Sequence, residues 1–122
     1  MPDGVKNIKL AQKERLLLRE ISSLFLQAAA DNPELSRLMI SRVKLSSDKS
    51  SCSIYFYTTH GQQEFKDLLE ILKLYKPSLR TALAKSIKSR YTPELIFKFD
   101  EQYEKEEKFN RLLDSLKEKD EL

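Results

Sequence analysis

The sequence predicts an α+β domain: a three-stranded sheet packed against helices in the order helix, strand, strand, helix, kink, helix, strand, with a short helix after them. Three observations carry this. Two stretches alternate apolar and polar side chains about a polar turn, a helical stripe follows that Pro77 interrupts, and Leu95, Phe97 and Phe99 resume the alternation after Pro93. A chain of 122 residues is long enough for one domain with a sizeable core and too short for two.

Residues 1–6 read as a loose start. A long helix then runs to about Ala30, with Leu10, Leu17, Ile21, Leu24, Phe25 and Ala28 on one face, until Asp31, Asn32 and Pro33 stop it. Met39, Ser41, Val43 and Leu45 alternate with Ile40, Arg42 and Lys44. Beyond a turn at Ser46 to Ser51, Cys52, Ile54, Phe56 and Thr58 oppose Ser53, Tyr55 and Tyr57, which makes a hairpin. His60 and Gly61 lead into a helix bearing Phe65, Leu68, Leu69 and Leu72. Pro77 has no N–H and clashes with the preceding turn, so two helices are expected to meet at Tyr75 to Ser78, with the proline near the first turn of the second. Pro93 ends that helix by driving Thr92 extended, and the last strand buries Leu95, Phe97 and Phe99. The organisation expected is a domain over 1–100 and an acidic, partly helical or flexible tail over 101–122, whose Tyr103, Phe109, Leu112, Leu113 and Leu116 form a narrow apolar stripe.

Charge is distributed unevenly. The net charge is only +3, yet the body is basic and the tail acidic. From Ile71 through Pro93 there is no Asp or Glu, while Lys73, Lys76, Arg80, Lys85, Lys88 and Arg90 all fall inside. Leu79, Ala82, Leu83, Ser86 and Ile87 mark the core-facing side of the second helical half, so Arg80, Lys85 and Lys88 point away from the core. A basic helical face with few competing carboxylates suits a polyanion, and phosphate contacts give affinity without reading sequence. On the first helix Lys9, Lys13, Arg15 and Arg19 lie mostly off the apolar face, where a solvated surface is the simpler reading and ligand contact the other. Tyr55 and Tyr57 admit base stacking, against plain packing on a half-buried strand.

Several chemistries are excluded. One cysteine, Cys52, and one histidine, His60, supply neither a zinc site of usual composition nor a Cys–His catalytic pair, and a lone cysteine allows no internal disulfide. Gly4 and Gly61 are the only glycines, so no glycine-rich phosphate cradle can be assembled. Glu64, Asp67 and Glu70 share a helix with Lys66 and Lys73 and read as a solvated face rather than catalytic groups. No catalytic residue, metal or cofactor is therefore expected. Neither a membrane-length apolar run nor a signal-peptide core is found, so a cytoplasmic protein is expected, and the retention-signal spelling of Lys119 to Leu122 is read as chance.

Three motifs carry a resemblance. Asn32, Pro33, Glu34 and Leu35 look like an Asp-Pro-x-Leu motif; Val43, Leu45, Ser46 and Asp48 look like a strand-ending Val-x-x-Ser-x-Asp. Arg90, Pro93, Glu94, Leu95, Phe97 and Asp100 reproduce Arg-x-x-Pro-Glu-Leu-x-Phe-x-x-Asp. In this order, across residues 8–100, the chain resembles the ribosome-binding factor A family, bacterial assembly factors of the small ribosomal subunit with a type II KH-like fold. The chain departs from the family in having Tyr75, Lys76 and Pro77 where Ala-x-Gly is frequent, in matching the early arginines of the first helix with Lys9 but not Gln12, and in lacking the Gly-x-x-Gly loop of ordinary KH domains.

The resemblance implies a non-enzymatic ribosome biogenesis factor. It would bind the small (30S) subunit and its 16S rRNA during late maturation and 5′-end processing, as a monomer without membrane, small-molecule substrate or cofactor. Arg80, Lys85, Lys88 and Arg90 would be the central RNA contacts, Lys73 and Lys76 their edge, and Lys9, Lys13 and Arg19 a flank from the first helix. The residues alone leave a second reading open, a KH-like adaptor whose basic face meets an acidic protein.

Overall fold

A computed structural model describes residues 2–87 and 90–121, with side chains for 8–87 and 90–118. Lys88 lies outside the described residues, as do Leu122 and the side chains of Lys119, Asp120 and Glu121. The elements are α1 (Pro2–Asp31), a 3-10 turn (Pro33–Arg37), β1 (Met39–Leu45), β2 (Ser51–Tyr57), α2 (Gln62–Ile87), β3 (Glu94–Phe99) and α3 (Glu101–Glu121). The expected order holds, with the two helices either side of Pro77 joined into one run. Phe65, Leu68 and Leu72 before the proline and Leu79 and Leu83 after it all enter the same core, and that shared burial carries the helix through a residue that can donate no bond to the Lys73 carbonyl. Tyr75, two residues earlier, fastens this turn to the end of α1 by donating its hydroxyl to Asp31 at 2.7 Å. The loose start expected over residues 1–6 is instead helical from Pro2, because a proline at the first helical position loses no bond and has its φ already set.

The sheet order is β1-β2-β3, with β1 antiparallel to β2 and β3 parallel to it. Helices α1 and α2 cover one face, where Phe56 meets Phe25, Phe65 and Phe97 at ring separations of 5.4, 6.1 and 5.7 Å. A bulge between Ile40 and Arg42 shifts the phase of β1. Val43 and Leu45 are buried as expected, but Ile40, not Met39, packs against the core at the other end of the strand. Cys52 is buried within β2; burial and the nearby Glu14 carboxylate push its thiol up to about 11, so it is an inert packing residue. Glu14 itself reaches from α1 to accept the Leu45 amide at 3.0 Å, on the outer side of β1.

The three motifs acquire structural roles. Asn32 caps the 3-10 turn by accepting the Glu34 amide at 3.2 Å, Pro33 follows at its first position, and Leu35 is fully buried. Asp48 closes the β1–β2 turn. Its Oδ1 accepts from the Ser46 hydroxyl at 2.7 Å and from the hydroxyl and amide of Ser50 at 2.7 and 3.1 Å. Asp100 fastens three elements: Oδ2 accepts from Ser41 at 2.6 Å and Arg42 at 3.0 Å, while Oδ1 accepts the Tyr103 amide at 3.0 Å and so caps α3.

Of the apolar stripe read on helix α3, only Tyr103 docks on the body. Tyr103 lies on Tyr57 at 4.6 Å between ring centres, and Arg111 donates to the Tyr57 hydroxyl at 3.3 Å. Phe109, Leu112, Leu113 and Leu116 are exposed, on roughly the opposite side of the helix at about 100° per residue. The contact buries Tyr57, which removes it from any stacking role.

Candidate nucleic-acid interface

The segment between α2 and β3 is the centre of the site, because both of its walls are tied to it. Pro93 and Leu95 are buried and plug its base, which explains the Pro-Glu-Leu run. The Glu94 amide donates to the Ser50 carbonyl at 2.9 Å, fixing the segment against the β1–β2 turn. Arg80 donates to the Thr92 carbonyl at 3.3 Å, fixing it against α2. Arg90 and Tyr91 are thereby held outward, with the Arg90 guanidinium 5.4 Å from the Tyr91 ring centre and Tyr91 73% exposed.

Two clefts share this segment. One, of about 650 Å³, has a floor of small residues on α2 (Pro77, Thr81, Ala84) edged by Arg80 and Lys85 and walled by Arg90, Tyr91 and Thr92. The other, of about 460 Å³, lies between α1 and the β1–β2 turn, and brings Lys13, Lys49 and Arg90 around Asp48, Tyr91 and an apolar base of Leu45 and Pro93. None of Lys13, Lys49, Arg80, Lys85 and Arg90 forms an ion pair among the described residues. Their charges are available to an anionic ligand, and helix α3, with its many carboxylates, docks on β2 instead.

The remaining cations singled out from the sequence stand apart from the clefts. Lys73 pairs with Glu70 at 3.5 Å, and Lys76 lies half-buried with its Nζ 5.8 Å from the Phe97 ring centre. Arg19 pairs with Glu20 at 3.6 Å; Lys9 is exposed one helical turn before Lys13. Sequence reasoning missed Lys49 and Tyr91. Tyr91 carried a signal, an aromatic beside Arg90 in an acid-free run. Lys49 carried none, since only the parallel register of Ser51 with Glu94 brings its turn to this segment.

Lys49 also holds a left-handed backbone conformation, φ 62°, which a side chain disfavours and glycine accepts. Changing Lys49→Gly is expected to raise stability by up to about 1 kcal/mol, while weakening the hold of the cleft on a polyanion because a rim charge is lost. Denaturant unfolding and a titration with single-stranded RNA on the same variant read the two effects: stability not lowered, binding weakened.

A protein-family model described as Ribosome-binding factor A matches residues 9–113. The chain belongs to that family. A ribosome-binding factor A of Prochlorococcus marinus (strain MIT 9301) is 39% identical over 116 residues, covering 93% of this chain and 88% of the relative. One from Dictyoglomus thermophilum is 32% identical over 101 residues, covering 83% and 84%. The crystal structure of ribosome-binding factor A from Thermus thermophilus superposes with a TM-score of 0.62 at 28% identity, over 74% of this chain and 93% of that one. A Thermus thermophilus ribosome-binding factor A homology model, fitted into a cryo-EM map of a 30S complex, matches with a TM-score of 0.56 at 28% identity, over 69% and 87%. The ribosome-binding factor A match extends beyond Asp100 into α3, so the family region includes the start of the C-terminal helix. Family members are non-catalytic, and among the described residues no three His, Cys, Asp or Glu side chains are grouped to hold a metal ion.

Proposed function

We propose that this chain is a cytoplasmic ribosome biogenesis factor that binds the small (30S) subunit and its 16S rRNA during late maturation and 5′-end processing. The observation that carries it is the pair of clefts around Arg90 and Tyr91, whose five cations are free of ion pairs among the described residues. Family membership and the Thermus relative fitted into a 30S complex support the same partner. Arg80, Lys85 and Arg90 make the central phosphate contacts, joined by Lys13 and Lys49; Lys88, adjoining them in sequence, is assigned to the same group. Lys73, Lys76, Lys9 and Arg19, outside the clefts, add positive charge that steers approach. The action is steric and electrostatic, holding an immature RNA conformation without breaking a bond. Gradient sedimentation of cell extract tests it: the protein should travel with immature small subunits and be absent from large ones. Recovery only at the top of the gradient, or with large subunits, would refute the assignment.

A further inference from the structure

A cleft lined only by cations binds any phosphate chain, yet the 460 Å³ cleft also holds one carboxylate. The volume falls within the roughly 300–1,000 Å³ of small-ligand sites, large enough for a single nucleotide. Its composition is that of a nucleotide pocket rather than a phosphate trough: an apolar base of Leu45 and Pro93, an aromatic at Tyr91, three cations at Lys13, Lys49 and Arg90, and Asp48. The carboxylate is divided between two tasks. All three hydrogen bonds from Ser46 and Ser50 end on Oδ1, and among the described residues Oδ2 accepts none. Those bonds hold the side chain in one place and draw its carboxyl down to about 2, so it is an ionised acceptor at any working pH.

We propose that this cleft takes one unpaired nucleotide of the RNA and reads its base through Asp48 Oδ2, favouring bases with an exocyclic amino group over uracil. The inference rests on the RNA-binding reading above and adds selectivity to it. The phosphate is received by Lys13, Lys49 and Arg90, the base lies against Tyr91, and Oδ2 accepts from the amino group, as a carboxylate does from cytosine N4. At C4 uracil presents a carbonyl oxygen where cytosine presents the amino group, and a carboxylate held at that position repels it.

The test uses the full-length protein and two single-stranded RNAs of equal length, oligocytidine and oligouridine, whose equal charge cancels the electrostatic contribution. Oligocytidine should bind roughly tenfold tighter, as expected for one charge-assisted hydrogen bond. Asp48→Asn keeps an oxygen for the Ser46 and Ser50 bonds; it should bring the two RNAs to within about twofold while tightening oligouridine, because a negative charge has gone. Amide spectra of the variant confirm that the turn is retained, and Tyr91→Leu should weaken both RNAs. Equal binding of the two RNAs by the unaltered protein, or an unchanged preference in Asp48→Asn, overturns the pocket. If that occurs while the protein still sediments with immature small subunits, only the base reading falls; if both fail, the RNA-binding assignment falls with it.

Discussion

Association with the small subunit is expected to collapse when Arg80→Glu and Lys85→Glu are combined. The two side chains edge the same small-residue floor on α2, and both are exposed. A hydrogen bond to a charged group is worth about 1.5–3 kcal/mol, so losing two phosphate contacts removes about 3–6 kcal/mol, at least a hundredfold in affinity, before repulsion is added. The dependence on salt should also flatten, by about 1.4 in the log–log slope for two contacts to single-stranded RNA. The fold should survive, since among the described residues the only side-chain bond lost is the exposed one from Arg80 to Thr92. Arg19→Glu provides the contrast: Arg19 lies off both clefts beside Glu20, and its reversal should change affinity by no more than a few-fold. Co-sedimentation of the three proteins with purified subunits decides the matter, and a double variant that sediments like the unaltered chain rules out the α2 cleft.

Asp100→Ala is expected to destabilise the chain by about 2–4 kcal/mol, and to lower the melting temperature by roughly 10 °C. The carboxylate is buried, with a side-chain exposure of 3%, whereas its partner Arg42 is 45% exposed, so the ion pair contributes less than a fully enclosed one. The larger losses are the cap of α3, worth about 0.5–2 kcal/mol, and the partner of the Ser41 hydroxyl. Asp100→Asn keeps an oxygen for the cap and should cost about half as much. Burial pushes the Asp100 carboxyl up, but the bonds from Ser41 and the Tyr103 amide and the charge of Arg42 outweigh it and hold it below its usual value. The stabilisation is therefore complete above the unfolded carboxyl's value of about 3.9 and is lost as pH falls through the lower folded value. Thermal melts from pH 7 to pH 2 should show the gap between Asp100→Ala and the unaltered chain closing only in the acid limb.

Much of this molecule is legible in its residues alone. Alternation places β1, β2 and β3 because one sheet face is buried under α1 and α2, and the motif spacing places the ends of those elements. Where local reasoning fails, the causes are specific. The bulge at Ser41 exchanges Met39 for Ile40, and periodicity assumes an unbroken phase. Pro77 would divide an isolated helix, but core contacts on both sides keep this one whole. Of the narrow apolar stripe read on α3, Tyr103 makes the contact, together with Arg111, while Phe109, Leu112, Leu113 and Leu116 stay exposed. Of the site, the acid-free run identifies Arg80, Lys85 and Arg90, and Lys13 comes from the first helix. The pairing of the 90–93 segment with the β1–β2 turn depends on strand register, which no local pattern encodes, so Lys49 and the Asp48 pocket emerge only in three dimensions.

The outer margin of β1 has a bearing on solubility. A strand at the rim of a sheet offers unpaired amides and carbonyls to any neighbouring chain, the usual seed of ribbon-like polymerisation. Here the Ser41 bulge breaks the straight run near one end, and Glu14 occupies the amide of Leu45 at the other. Little uninterrupted ladder is left along this margin for an incoming strand to extend.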